Sequence, residues 1–93
     1  MLQPVWKVCG NTSIQDVTIC SNFGVDVLGF VTEYPVKVPW NLSANEALKL
    51  IKHMPYNVKS CVVTGGSVEK VYSLAVNLKP DFIQLHYNET LEE

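Results

Sequence analysis

Short apolar runs alternate along this chain with stretches in which apolar residues recur every three to four positions. The apolar runs predict β-strands at residues 5–9, 25–31, 58–64 and 81–86. The second run holds a single charged residue, a pattern typical of a strand that is buried on both faces. The regular spacing of the strands therefore predicts a repeated βα unit.

The first two helices are predicted from apolar periodicity together with start and stop signals. Residues 13–23 place apolar side chains on one side and precede Gly24, a residue type that favours helix C-terminal caps. The second helix is predicted to begin at Ala44, because Ser43 and Glu46 have the spacing of a capping box. Both helices thus fall between predicted strands.

The remaining segments complete the alternation. A third helix is predicted over residues 68–78, after Ser67, whose hydroxyl group suits an N-cap. Residues 32–42 contain two prolines, which disfavour regular strand pairing, and are predicted to form a loop. Residues 88–93 look like the opening turn of a fourth helix.

Alternating strands and helices predict a parallel sheet that is covered by helices. The length of 93 residues allows a single domain, which we assign to residues 1–93. Two architectures fit four such units: a small open α/β sheet, or half of an eight-stranded barrel. Composition alone does not choose between them.

Composition and charge narrow the classes of partner. The chain is 47% apolar and 17% charged, so it contains enough apolar side chains to form a core. Its net charge is −2, which argues against nucleic acid or an anionic membrane surface as the main partner. All seven basic residues are lysines, so a bound anion would be held by lysine or by backbone amides rather than by a guanidinium group.

Cofactor and location follow from missing sequence features. Cys9, Cys20 and Cys61 lack the spacing of zinc ligands, and the chain carries no dinucleotide fingerprint, so no metal or cofactor is expected. We see neither a signal-peptide pattern nor an apolar run of about 18 to 20 residues, the length of a membrane span. These features predict a cytoplasmic protein with reduced thiols.

Three short motifs then choose the fold: KVCG at residues 7–10, GVDVLGF at residues 24–30 and QLH at residues 84–86. In this order and spacing they resemble phosphoribosylanthranilate isomerase, a (β/α)8-barrel enzyme of tryptophan biosynthesis. Residues 33–43 look like the version of the following loop in archaeal members. The resemblance covers the whole chain but only the first four βα units of the family. It therefore implies an α/β fold, the (βα)4 half of a TIM barrel, with a parallel sheet and flanking helices.

The resemblance also implies a reaction and a base. The family catalyses an Amadori rearrangement, in which a general acid protonates the ring oxygen and a general base removes the proton from C2. The family's base is the cysteine of the KVCG-type motif, which is Cys9 here. Lys7 lies close in sequence, and its charge would favour the thiolate form. Cys20 and Cys61 are expected to be structural, because one lies in a helical stripe and the other in a strand.

Four residues are predicted to bind substrate: Lys7, Lys37, Trp40 and His86. Trp40 stands where many members have an arginine for the anthranilate carboxylate, so we expect Trp40 to stack on the ring and Lys37 to supply the charge. A tryptophan that only packs on the barrel rim is the alternative. His86 ends the QLH motif, but it precedes Tyr87 where the family usually has glycine. A histidine with a purely structural role is its alternative.

The family's general acid and phosphate site lie on later strands and loops, which have no counterpart in these 93 residues. We therefore expect the isomerase site to be incomplete and the chain to be inactive alone. A non-catalytic half-barrel that serves in binding or assembly is the alternative function.

Expected partners are a small phosphorylated substrate and either a C-terminal half-barrel or further copies of this chain. Self-association to a dimer or larger species is predicted because the first and fourth strands would offer unpaired edges. The sheet face opposite the helices would also lack a cover, on strands whose two faces are both apolar: those of Val27, Phe30, Val63, Ile83 and Leu85.

Overall fold

The computed structural model describes residues 5–35 and 38–85, in which strands and helices alternate. The strands are Lys7–Val8 (β1), Val27–Val31 (β2), Lys59–Thr64 (β3) and Phe82–Leu85 (β4). The helices are Ile14–Asn22 (α1), Ala44–Lys52 (α2) and Val68–Leu78 (α3). The helical turn predicted at residues 88–93 lies outside the described residues.

The strands form one parallel sheet in the order β1-β2-β3-β4, so every strand pairs with its neighbour in sequence. A doubly wound open sheet would instead reverse its strand order at a switch point. Consecutive parallel strands with a helix in each connection are the arrangement of a (β/α)8 barrel. The predicted (βα)4 half-barrel is confirmed.

An aspartate stands directly before β2 and another directly before β4, and both form the same kind of hydrogen bond. Asp26 precedes β2, and its Oδ2 accepts a hydrogen bond of 2.9 Å from the backbone N–H of Trp6. Asp81 precedes β4, and its Oδ2 accepts one of 2.8 Å from the N–H of Ser60. Each carboxylate thus ties the beginning of its strand to the preceding strand.

β1 is shorter than the predicted strand at residues 5–9. Its ladder with β2 contains only the pairs Lys7 with Val27 and Val8 with Leu28. Beyond Val8 the chain leaves the sheet, and the side-chain amide of Asn11 donates a hydrogen bond to the backbone carbonyl of Val8. The other strands and the three described helices lie within the predicted ranges, with ends that differ by up to two residues.

Capping side chains fix the helix starts as predicted. Ser43 and Glu46 form the complete capping box of α2, with each side chain accepting from the other residue's backbone N–H. Ser67 caps α3 by accepting from the N–H of Lys70. Gly24, at φ 81°, directly follows Phe23, the C-cap residue of α1. Local sequence alone is therefore sufficient to set these boundaries.

The sheet has one apolar cluster on each face. The helix side is filled by buried residues from strands and helices, including Val17, Leu28, Phe30, Ala47, Val62 and Leu74. The opposite face, called the inner face below, carries Val27, Val31, Cys61 and Val63. Tyr34 and Val38 from the β2–α2 loop pack against this second cluster. The prediction that the inner face lacks a cover is wrong for Val27 and Val63, because the loop buries them. Phe30 lies in the helix-side cluster instead.

The first turn of α1 makes a testable contribution to pH-dependent stability. Asp16 Oδ2 accepts a 2.9 Å hydrogen bond from the N–H of Thr12, which lowers the pKa of the carboxyl from its ordinary value of 3.8. A lowered pKa in the folded state gives stability that is present above the unfolded pKa and is lost as pH falls through the folded pKa.

We expect acid titration of the unfolding free energy to show a smaller loss below about pH 4 in Asp16→Asn than in the native chain. The difference should stay below about 1 kcal/mol, because the carboxylate is largely solvated. Glu69→Gln, in the first turn of α3, is the matched control. Identical acid profiles for Asp16→Asn and the native chain would contradict this assignment.

Candidate active site at the carboxyl ends of the strands

A cavity of about 350 Å³ opens on the inner face toward the carboxyl ends of the strands. Its walls are Cys9, Val31, Tyr34, Val38, Trp40, Val63 and Gln84. In (β/α)8 barrels this end of the strands holds the active site, because loops from separate strands converge there. The lining is mainly apolar and aromatic, and the polar groups on its residues are the Cys9 thiol, the Gln84 amide, the Tyr34 hydroxyl and the Trp40 indole N–H.

Cys9 lies at the rim where β1 has just ended. A Cβ atom built on Gly29 would come within 2.9 Å of Cys9 Sγ and 3.2 Å of Cys9 Cα. Real carbon atoms do not approach a sulfur atom that closely, so only glycine at position 29 lets the thiol lie over β2. The next residue, Gly10, has φ 80° and lies beside the Trp40 ring. The cysteine of the predicted site and the predicted tryptophan thus line one cavity.

The side chain of Lys7 extends across the inner face from β1 toward β4. Its Nζ donates a hydrogen bond to Oε1 of Gln84, and its charge lies near enough to the Cys61 thiol to act on the pKa of that group. β1 and β4 are the outer strands of the described sheet, and in a flat sheet their backbones would be about 14 Å apart. A contact between their side chains therefore requires a curved sheet, as in a barrel.

Cys61 lies in the middle of β3 and is 3% exposed. Burial raises the pKa of its thiol, and the nearby Lys7 ammonium opposes that shift only in part. Burial therefore favours the protonated thiol at neutral pH. This placement agrees with the structural role predicted for Cys61.

The loop between β2 and α2 forms one wall of the cavity. Asn41 braces it: its Oδ1 accepts from the Tyr34 N–H at 3.0 Å, and its Nδ2 donates to the Tyr34 carbonyl at 2.9 Å. Trp40 is 45% exposed, with its ring between solvent and the cavity. Of the other predicted substrate residues, Lys37 and His86 lie outside the described residues.

Tyr34 and Gln84 also line the cavity, although neither was predicted to bind substrate. Gln84 belongs to the QLH motif, so the sequence did carry a signal for it. In the structure it pairs with Val63 and lies on the inner face. Tyr34 carries no comparable signal, since its position depends on how the loop folds back.

Within residues 5–35 and 38–85, no cluster of three or more side chains is suited to hold a metal ion. The described helices include none long and apolar enough to cross a membrane.

Comparison with solved structures supports the same arrangement. The crystal structure of phosphoribosyl anthranilate isomerase from Thermotoga maritima superimposes with a TM-score of 0.83 and 26% sequence identity, over 97% of this chain and 43% of that chain. A structure of the isomerase in complex with reduced 1-(o-carboxyphenylamino)-1-deoxyribulose 5-phosphate also gives a TM-score of 0.83, over 97% of this chain.

Sequence comparisons give the same family. The chain is 31% identical to N-(5'-phosphoribosyl)anthranilate isomerase 1 of Methanosarcina mazei, over 88% of its own length and 36% of the relative's. It is 34% identical to the isomerase of Methanocaldococcus jannaschii, over 92% of its own length and 38% of the relative's. The chain thus spans somewhat over a third of these curated relatives. A family model of N-(5'-phosphoribosyl)anthranilate (PRA) isomerase matches residues 6–93, and this chain belongs to that family.

Proposed function

We propose that this chain supplies the general base and part of the substrate wall of a PRA isomerase site. The reaction is the Amadori rearrangement of N-(5-phosphoribosyl)anthranilate to the corresponding 1-deoxyribulose phosphate. In this proposal Cys9, as thiolate, accepts the proton from C2 of the ring-opened substrate. The general acid and the phosphate contacts come from a second half-barrel, without which the chain is inactive. The predicted cytoplasmic location is part of the same proposal.

The observation that carries the proposal is the position of the Cys9 thiol in an aromatic-lined cavity at the carboxyl ends of parallel strands. The cavity volume of about 350 Å³ lies within the range of small-molecule sites. Its apolar walls suit the flat anthranilate ring, and the Gln84 amide is a polar group that can fix orientation. Lys7 is also proposed to contact substrate, since its ammonium donates a hydrogen bond to the cavity residue Gln84.

The deciding experiment mixes the purified chain with a C-terminal half of a PRA isomerase and measures conversion of phosphoribosylanthranilate. We expect turnover in the mixture and none with either half alone. The matched control is the same mixture made with a Cys9→Ala chain. A mixture that forms a stable complex without turnover would contradict the isomerase proposal.

The loop residues provide a prediction about substrate affinity. Trp40 is proposed to stack on the anthranilate ring, and Lys37 to pair with its carboxylate. We expect Trp40→Ala and Lys37→Ala each to raise KM in an active assembly, with little change in kcat, because both groups contact a part of the substrate that does not react. Tyr56→Ala, which removes a fully exposed ring elsewhere, is the control. Unchanged KM in both variants would make this loop a structural rim.

A non-catalytic assembly role is the second candidate, and the exposed apolar side chains at both sheet edges favour it. Val5, Trp6 and Val8 are exposed at the β1 edge, and Phe82 and Leu85 at the β4 edge. One solved structure that resembles this chain is of generated monomers of a dimeric phosphoribosylanthranilate isomerase from Thermotoga maritima. We propose that this chain also associates, through its strand edges, with a second copy or with a C-terminal half-barrel.

We expect sedimentation of the chain at micromolar concentration to show a dimer or a larger species. Phe82→Glu should shift it toward monomer, because Phe82 is 52% exposed on an edge strand and a charge there opposes pairing. Tyr56→Glu adds the same charge away from the strands and should leave the association unchanged. A monomeric native chain with a sharp thermal transition would contradict edge pairing.

A further inference from the structure

Asn11 is a buried polar residue two positions after the proposed base. The residue is 3% exposed, and it lies between the end of β1 and the beginning of α1. A buried amide is stable only when its donors and acceptor have partners. The partners of Asn11 therefore indicate what the residue holds in place.

The two donors of the Asn11 amide replace strand pairing where β1 stops. Nδ2 donates to the carbonyl of Val8 at 2.9 Å and to the carbonyl of Gly29 at 3.0 Å. The backbone N–H of Asn11 also donates to the Gly29 carbonyl, at 3.3 Å. One residue thus binds both the last residue of β1 and the glycine over which the Cys9 thiol lies.

The acceptor of the same amide is occupied as well. Asn11 Oδ1 accepts from Cys20 Sγ in α1 at 3.7 Å. With both ends of the amide held, its orientation is fixed, and the two-residue loop of Cys9 and Gly10 is closed between Val8 and Asn11. Satisfied buried networks of this kind make the surrounding backbone rigid.

We infer that Asn11 is a positioning residue that holds the Cys9 thiol against Gly29 and in the cavity. Asn11 is not among the walls of the 350 Å³ cavity, and its amide donates to the backbone carbonyls of Val8 and Gly29, so it acts through the backbone around Cys9. Its effect on turnover rests on the proposed function, whereas its effect on the thiol does not. The two can therefore be tested separately.

The first test measures alkylation of Cys9 by iodoacetamide in the whole chain, with the modified site identified by mass spectrometry. Asn11→Asp keeps the shape of the side chain but removes both donors. We expect it to raise the alkylation rate of Cys9 at least about threefold, because the released loop uncovers the face of the sulfur that Gly29 shields. Asn45→Asp makes the same charge change at an exposed position of α2 and should leave the rate unchanged. An unchanged rate in a folded Asn11→Asp chain would overturn the inference.

A measurement on the native chain decides the matter even if the variant fails to fold. The Asn11 side-chain amide protons should exchange with solvent far more slowly than those of Asn45 in an NMR experiment. Equal exchange rates would overturn the inference. In an active assembly, with kcat referred to the concentration of folded complex, Asn11→Asp should lower kcat with KM unchanged, because the base is displaced while the substrate contacts remain. An assembly without any turnover would count against the proposed isomerase function alone, since the alkylation and exchange results stand without it.

Discussion

Cys9→Ala is expected to lower kcat of an active assembly by at least about 100-fold, the low end of general-base contributions. Alanine removes the thiol and leaves the cavity walls in place, so proton removal from C2 has no base at this position. Substrate binding should change little, because the ring and the carboxylate are proposed to contact other side chains. Steady-state assays of native and variant chains with the same C-terminal half give both constants.

Two further cysteine variants are the controls for this result. Cys20→Ala and Cys61→Ala should change the free energy of unfolding rather than turnover. Cys20, in α1, packs against the helix-side apolar cluster, and Cys61 is buried in β3. Full activity in the Cys9→Ala assembly would show that another group is the base. Equal loss of activity in all three variants would point to folding instead of chemistry.

Gly29→Ala should have the second large effect, on stability and activity together. The new Cβ would lie 2.9 Å from Cys9 Sγ and 3.2 Å from Cys9 Cα, so the β1 end must move away from β2. Overpacking of this kind costs about 1 to 3 kcal/mol. Chemical denaturation measures the loss, and kcat of the assembly should fall as the thiol moves out of the cavity.

A double-mutant cycle tests whether Cys9 is the cause. In the Cys9→Ala background the sulfur is absent, so Gly29→Ala should destabilise less than it does in the native chain. The contact with Cys9 Cα remains, and the cost should therefore not vanish. If the two effects add without interaction, then the close approach of the thiol to Gly29 is not what limits this position.

The elements and the fold class could be predicted from sequence because their signals are local. The capping box at Ser43 and Glu46 and the N-cap at Ser67 give helix starts that need no distant contacts. The alternation of strands and helices gives a parallel sheet, and the motif order chose the half-barrel over the open sheet. The bounds of β1 were less accurate, and at its carboxyl end the reason is that the side chain of Asn11 takes the carbonyl of Val8.

Within the site, the sequence motif drew attention to Cys9, and only the fold brought it together with its surroundings. Gly29 lies twenty residues away, yet parallel pairing places it beneath the thiol. Tyr34 reaches the inner face because Asn41 folds the loop back, an effect of hydrogen bonds within the loop that no periodicity encodes. That same loop buries inner-face residues that were expected to lack a cover.

The sequence by itself therefore determined which segments are strands and helices, the family, and the cysteine that stands at the end of the first strand. The tertiary structure decided the contents of the cavity, the direction of Lys7 toward β4, and the anchoring role of Asn11. The physical reason is range. Propensities, caps and apolar periods act over a few residues, whereas a site is formed by side chains whose proximity depends on strand register, sheet curvature and loop packing.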